Sequence, residues 1–200
     1  MRGLMLYLRS RRAPMALAVA GGCAVAMWSL WAALSETRDV DPQMVVLTVL
    51  LLVATLTVTL SSPDYALDRT AALSWPPRRA AHLLAMLLIV VGLLAVTLLT
   101  PARFGPLAVV LRDAAGLVGL TALGAALLTP ARSWFLPLGW TLAATLFPRT
   151  ETVAAQLLTW QSQPSGTTPA TLLAVSLAVS GLLTYALFGP SRQATAEVPA

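Results

Sequence analysis

Residues 44–60 read MVVLTVLLLVATLTVTL, a run with no charged residue, no Pro and no Gly, bounded by Asp41-Pro42 before it and Ser61-Ser62-Pro63-Asp64 after it. A helix on the surface of a soluble domain needs a polar stripe toward water, and this one has none to offer. Its length falls in the range of about 17–25 residues that cross a hydrocarbon layer of about 30 Å. Working outward, four further uncharged runs appear, at about 14–34, 81–99, 134–147 and 171–188, and a fifth apolar run at about 107–128 is interrupted by charge only at Arg112-Asp113. The whole-chain composition agrees: of 200 residues 58% are hydrophobic and 10% charged, with a mean hydropathy of +0.78. A soluble domain carries about 25% charged residues. The sequence therefore predicts an all-α polytopic membrane protein of about six transmembrane helices in a single transmembrane domain. The run at 134–147 is short and contains Pro137, so it is expected to be kinked or re-entrant. The single Cys23 allows no internal disulfide and leaves the redox environment open.

Net charge is +5, and all 13 basic residues are arginines. Such a balance could indicate a nucleic-acid partner, but the positions of the arginines point instead to lipid. Short cytoplasmic loops are enriched in Lys and Arg. With six spans, one side of the membrane receives Arg2, Arg9, Arg11, Arg12, Arg69, Arg78, Arg79, Arg132 and Arg192; the other receives Arg38, Arg103 and Arg149, and Arg112 is assigned to neither. Both termini are thus expected to be cytoplasmic, in a cell membrane. The first run exceeds the ~7–15 apolar residues of a signal peptide and is read as a retained span.

Three segments lie outside the spans. In residues 1–13, Leu4, Met5, Tyr7 and Leu8 alternate with Arg2, Arg9, Arg11 and Arg12, which is either an amphipathic helix lying among headgroups or a plain basic anchor. Residues 62–80 open with Ser62-Pro63-Asp64, a helix-start pattern, and close with Pro76-Pro77, which must stop or turn a helix. The three turns between, carrying Asp64, Leu67, Asp68, Arg69, Leu73 and Trp75, either pack on the bundle or face a cytosolic partner. Residues 149–169 contain an apolar, helix-compatible stretch from Thr152 to Trp160 and then a polar turn, read as a re-entrant lid or as a loop resting at the membrane surface.

The layout resembles the membrane (permease) subunit of an ATP-binding-cassette exporter of the type-two integral membrane class. The local pattern is Asp68-Arg69-Thr70, then Leu73, Pro76-Pro77 and Arg78-Arg79, leading into His82-Leu83-Leu84. Members of that family more often have Glu and a Gly before the Thr and a longer gap; this chain lacks that Gly and is contracted. The resemblance implies six spans, an N-terminal elbow helix, a coupling helix within 62–80 and a short re-entrant pair before the last span. It also implies ABC ATPase subunits as partners, a second permease subunit in a homo- or heterodimer, and ATP and Mg held by the ATPase, with no cofactor in this chain. The coupling residues would be Asp64, Leu67, Asp68, Arg69, Leu73 and Trp75. The competing reading is a non-transporting accessory, regulatory or immunity-type membrane protein.

Few groups here suit catalysis. His82 is the only His, no Lys is available for a phosphate loop, and no Cys/His cluster or carboxylate pair lies within a span, so the chain is not expected to be an enzyme. Arg112 and Asp113 form the only charged pair near a span interior. Because 114–129 can cross most of a bilayer alone, they are placed preferentially on an interfacial turn beginning near Pro106, the alternative being a buried relay. Adjacent helix positions diverge by about 100°, so the two are not expected to face one another. Gly21, Gly22, Gly116, Gly119, Gly124 and Gly181 are expected to permit close helix contact. Thr48, Thr55, Thr57, Thr59, Thr141 and Thr145 are expected to bond back to their own helices.

Overall fold

The computed structural model describes residues 12–60, 75–147 and 152–191. The N-terminal elbow and most of the coupling segment, including Asp64, Leu67, Asp68, Arg69 and Leu73, lie outside the described residues. The chain is a polytopic all-α membrane protein. Its helices are α1 (Ala13–Leu34), α2 (Pro42–Leu56), α3 (Trp75–Thr97), α4 (Leu107–Leu127), α5 (Phe135–Leu146), α6 (Val153–Leu158) and α7 (Thr168–Phe188), with 3-10 turns at Thr57–Leu60, Pro130–Arg132 and Trp160–Ser162.

Proline sets where several of these helices begin. Its missing N–H falls in the first turn, where backbone donors have no intrahelical acceptor anyway. Pro14, Pro42 and Pro169 occupy such positions, and the Asp41 carboxylate accepts the Gln43 N–H at 2.8 Å to cap α2. Two expectations change for this reason. Pro76 and Pro77 form the first turn of α3, so the third span begins at Trp75 rather than near residue 81. Pro137 is the third residue of α5 and starts that helix rather than kinking it. At the end of α7, Gly189 adopts φ 74° and its N–H returns to the Tyr185 carbonyl at 2.9 Å.

Five helices are long and apolar enough to span a membrane, the Pro42–Leu60 unit counted as one. The expected fifth span is not among them. At about 1.5 Å per residue the 12-residue α5 reaches only about 18 Å. Connectivity nevertheless requires a crossing there, because α4 and α7 run in parallel. Arg112 near the start of α4 meets Pro164, just before α7, whereas Ala125 near the end of α4 accepts the Ser191 N–H beyond α7. The chain therefore travels from one end of the bundle to the other between residues 128 and 167, through α5, α6 and the turn that follows. Trp140 ties the two short helices by donating to the Leu158 carbonyl at 3.0 Å.

The central helix is α4, packed against α2, α3, α5 and α7. Apolar burial gives little drive when the surrounding solvent is lipid, so close backbone approach must supply dispersion contacts instead. Gly119 and Gly181 do this: a Cβ on Gly181 would lie 2.7 Å from the Gly119 Cα, and one on Gly119 would lie 2.6 Å from the Ala178 Cα. Gly124 similarly admits the Ser133 backbone. A Cβ on Gly21, Gly22 or Gly92 would meet no atom of another element within 4 Å, so the expected close contact at Gly21 and Gly22 is absent among the described residues. Gly21→Ala and Gly92→Ala should accordingly leave thermal stability unchanged or raise it by up to about 1 kcal/mol, the ordinary helix preference for Ala. A loss above that in a detergent unfolding series would show a close contact on this face. The six threonines behave as expected, each hydroxyl donating to a carbonyl three or four residues earlier.

The two ends of the bundle differ in charge. Arg12, Arg78, Arg79 and Arg132 lie at one end, hereafter the basic end, while in the opposite half Arg38, Arg103 and Arg112 are offset by the described acids Glu36, Asp39, Asp41 and Asp113. At the basic end Tyr185 donates to the Leu60 carbonyl at 3.0 Å, His82 shares a hydrogen bond with Thr59 at 2.9 Å, and Arg79 reaches the Ala186 carbonyl at 3.4 Å. His82 is thus a packing residue joining α3 to the end of α2. At the far end the loops after α1 and α3 pair through Val40 N–H to Arg103 O at 2.9 Å and Arg103 N–H to Arg38 O at 2.7 Å.

Candidate functional site

The polar centre of the molecule is built where the turn after α6 enters the far half of the bundle. Thr152 caps α6 by accepting the Ala155 N–H, and the chain then passes through Trp160–Ser162 before reaching α7. Trp160 is fully buried, with its ring on Gly116; a methyl group there would overlap the Trp160 ring. Gly116 is the tenth residue of α4, so the turn reaches about 14 Å down from that helix's start. Irregular backbone within a membrane protein is tolerated where it is buried in protein or lines a water-filled cavity, and the buried carbonyls of this turn need donors.

Arg112 supplies donors to three of them. Its Nη1 donates to the Pro164 carbonyl at 3.0 Å, and its Nη2 donates to Gln163 at 2.9 Å and Gln161 at 3.2 Å. Its Nε donates to Asp113 Oδ1 at 2.9 Å. Arg112 is 7% exposed and Asp113 fully buried, both on the second turn of α4 and enclosed by the protein. The adjacent residues do meet: the arginine side chain is long enough to curl back over the carboxylate despite their angular separation. Each member accounts for the other. Three carbonyls require a donor at depth, the donor brings a positive charge, and Asp113 neutralises it.

The centre is incompletely satisfied. Asp113 Oδ2, Trp160 Nε1 and both amide atoms of Gln161 are buried without hydrogen-bond partners among the described residues. Above them, at the far end, lies a cavity of about 980 Å³ whose walls include Asp39, Asp41, Arg103, Pro106, Gln161 and Pro164. A second cleft of about 700 Å³, almost wholly apolar, opens sideways between α1 and α3, bounded by Gly21, Trp28 and Gly92. Trp28 closes its far end by donating to Thr100 Oγ1 at 2.9 Å. Among the described residues no three His, Cys, Asp or Glu side chains gather in a metal-binding group.

Of the residues singled out from sequence, the structure joins Arg112 and Asp113 and adds Trp160, Gln161, Gln163 and Pro164, which the sequence placed only within a segment read as a re-entrant lid or a surface loop. Trp75 is placed at the opposite, basic end, partly buried, with the Arg78 guanidinium 5.8 Å above its ring. No protein-family model, curated protein or solved structure matches this chain.

Proposed function

We propose that this chain is the membrane-spanning permease subunit of an ABC exporter, working with a second permease subunit and with separate ATPase subunits that hold ATP and Mg. The observation that carries this reading is the split crossing through α5 and α6. It supplies an even number of passages, so the beginning of α1, the end of α7 and the connection from α2 to α3 lie at one end of the bundle. That end carries the arginine excess and on this reading is cytoplasmic. Power strokes from a cytosolic ATPase would then reach α2 and α3 through the intervening segment, with Asp64, Leu67, Asp68, Arg69, Leu73 and Trp75 as the docking residues. The lateral α1–α3 cleft, apolar with a polar far end, suits an amphipathic or lipid-like cargo, whereas peptides or drugs would need the larger far-end cavity.

The test is copurification. An ATPase encoded beside this chain should be retained by the wild-type protein and lost on Leu73→Asp combined with Trp75→Asp, while the membrane yield of the variant stays unchanged. Retention of the ATPase by the double variant would refute the docking assignment. A C-terminal reporter found on the side opposite the N-terminus would refute the even number of crossings.

A further inference from the structure

We infer that the turn 159–165 is a latched plug, with Arg112 as its clasp, and that its release opens Asp113, Trp160 and Gln161 to water from the far-end cavity as a concealed polar site. The inference is independent of whether the chain is an exporter subunit.

Two opposing terms meet at this turn. In its favour, one guanidinium makes four hydrogen bonds, three of them to carbonyls of the turn, and the Trp160 ring fills the notch left by Gly116. Against it, the same closure strands the Asp113 Oδ2, the Trp160 N–H and the Gln161 amide, and each buried polar group without a partner carries a desolvation cost. Water would satisfy all of them at once. Water has a short path, because Gln161, Ser162, Gln163, Pro164 and Ser165 already form a wall of the far-end cavity, and Pro164 and Ser165 are exposed. A buried network that is only partly satisfied, next to a cavity and clasped by one guanidinium and one ring, is one for which entering water competes.

The chemistry of the opened site follows from its charges. Arg112 and Asp113 already neutralise one another, so a free cation or anion gains little there. The stranded groups comprise two acceptors, Asp113 Oδ2 and Gln161 Oε1, and two donor groups, Trp160 Nε1 and Gln161 Nε2. They match a neutral occupant that both donates and accepts: water first, or the hydroxyl or amide of a solute.

Because Cys23 is the only cysteine, Cys23→Ala provides a clean background for thiol labelling. In membrane vesicles, Gln161→Cys should react with a membrane-impermeant thiosulfonate, added from the far-end side, much more slowly than the exposed Ser165→Cys. Arg112→Gln should raise the Gln161→Cys rate by about tenfold or more, with a buried Leu52→Cys control unreactive in both. Should Arg112→Gln disrupt the bundle, revealed by Leu52→Cys becoming reactive, Trp160→Ala provides the second route: it loosens the plug without unpairing Asp113, and the same acceleration is expected. A Gln161→Cys rate equal to that of Ser165→Cys with Arg112 intact would overturn the inference, as would no acceleration in a variant whose bundle remains intact.

Discussion

Arg112→Met is expected to be the most damaging single side-chain change in the described bundle, costing about 3–5 kcal/mol, the scale seen when one partner of a buried ion pair is removed. Two losses combine. Asp113 becomes an uncompensated carboxylate with no exposure, and the carbonyls of Gln161, Gln163 and Pro164 lose a common donor at membrane depth. The measurement is unfolding in detergent, followed by the accessibility of a buried thiol. The double variant Arg112→Met, Asp113→Leu separates the two losses: it removes the stranded charge, so it should recover part of the stability but leave the turn loosely held. Asp113→Asn should cost less than Arg112→Met, because the Asn side-chain oxygen still accepts from Arg112 Nε. Equal stability of Arg112→Met and the wild type would show that the pair and its turn are solvated.

Gly119→Ala is expected to cost at least the 1–3 kcal/mol or so typical of overpacking, although it adds a single methyl group and improves helix propensity. The obstacle is backbone: the new Cβ would press on the Leu177 carbonyl and lie 2.6 Å from the Ala178 Cα, and no side-chain rotation relieves it. Relief requires α4 and α7 to separate along their length, which loosens the contact between the two parallel helices. Gly181→Ala should behave alike, since its Cβ would meet the Gly119 backbone. Gly21→Ala, chemically the same change, should be silent. Thermal midpoints of the three variants side by side provide the check; indistinguishable midpoints would show that the α4–α7 approach is looser than described.

Much of the architecture was legible in the sequence because membrane spans are written in local composition. Uncharged runs of sufficient length mark α1, α2, α3, α4 and α7, and their ends follow Pro and charged residues within a few positions. The threonine back-bonds were legible for the same reason, being contacts of three or four residues within one helix. Boundaries moved where proline could serve either as a breaker or as a first-turn residue: Pro76, Pro77 and Pro137 carry no local mark to distinguish the roles. The fifth span misled because 134–147 has the composition of a crossing without the length, and a crossing completed by α6 and an irregular turn has no apolar signature of its own.

The candidate site was less legible. Arg112-Asp113 stood out as the charged pair beside a span, but its depth and its internal hydrogen bond depended on what lay against it. Arg112 and Pro164 are 52 positions apart, Gly116 and Trp160 come together from different elements, and Gln161 has no motif to flag it. An uncharged run after Asp113 made a surface location reasonable; the entering turn, with three carbonyls in need of a donor, made a buried one necessary.

By itself, the sequence determined that this is a multi-pass helical membrane protein, with arginines segregated toward alternate connections, because hydropathy and charge act over a few consecutive residues and need no partner to be read. Only the tertiary structure decided that α4 and α7 run in parallel, that the chain between them crosses in two short pieces, and that Arg112 holds the turn that follows them. These are properties of distant backbones brought within hydrogen-bonding and van der Waals reach, where a missing methyl group or one guanidinium settles the geometry.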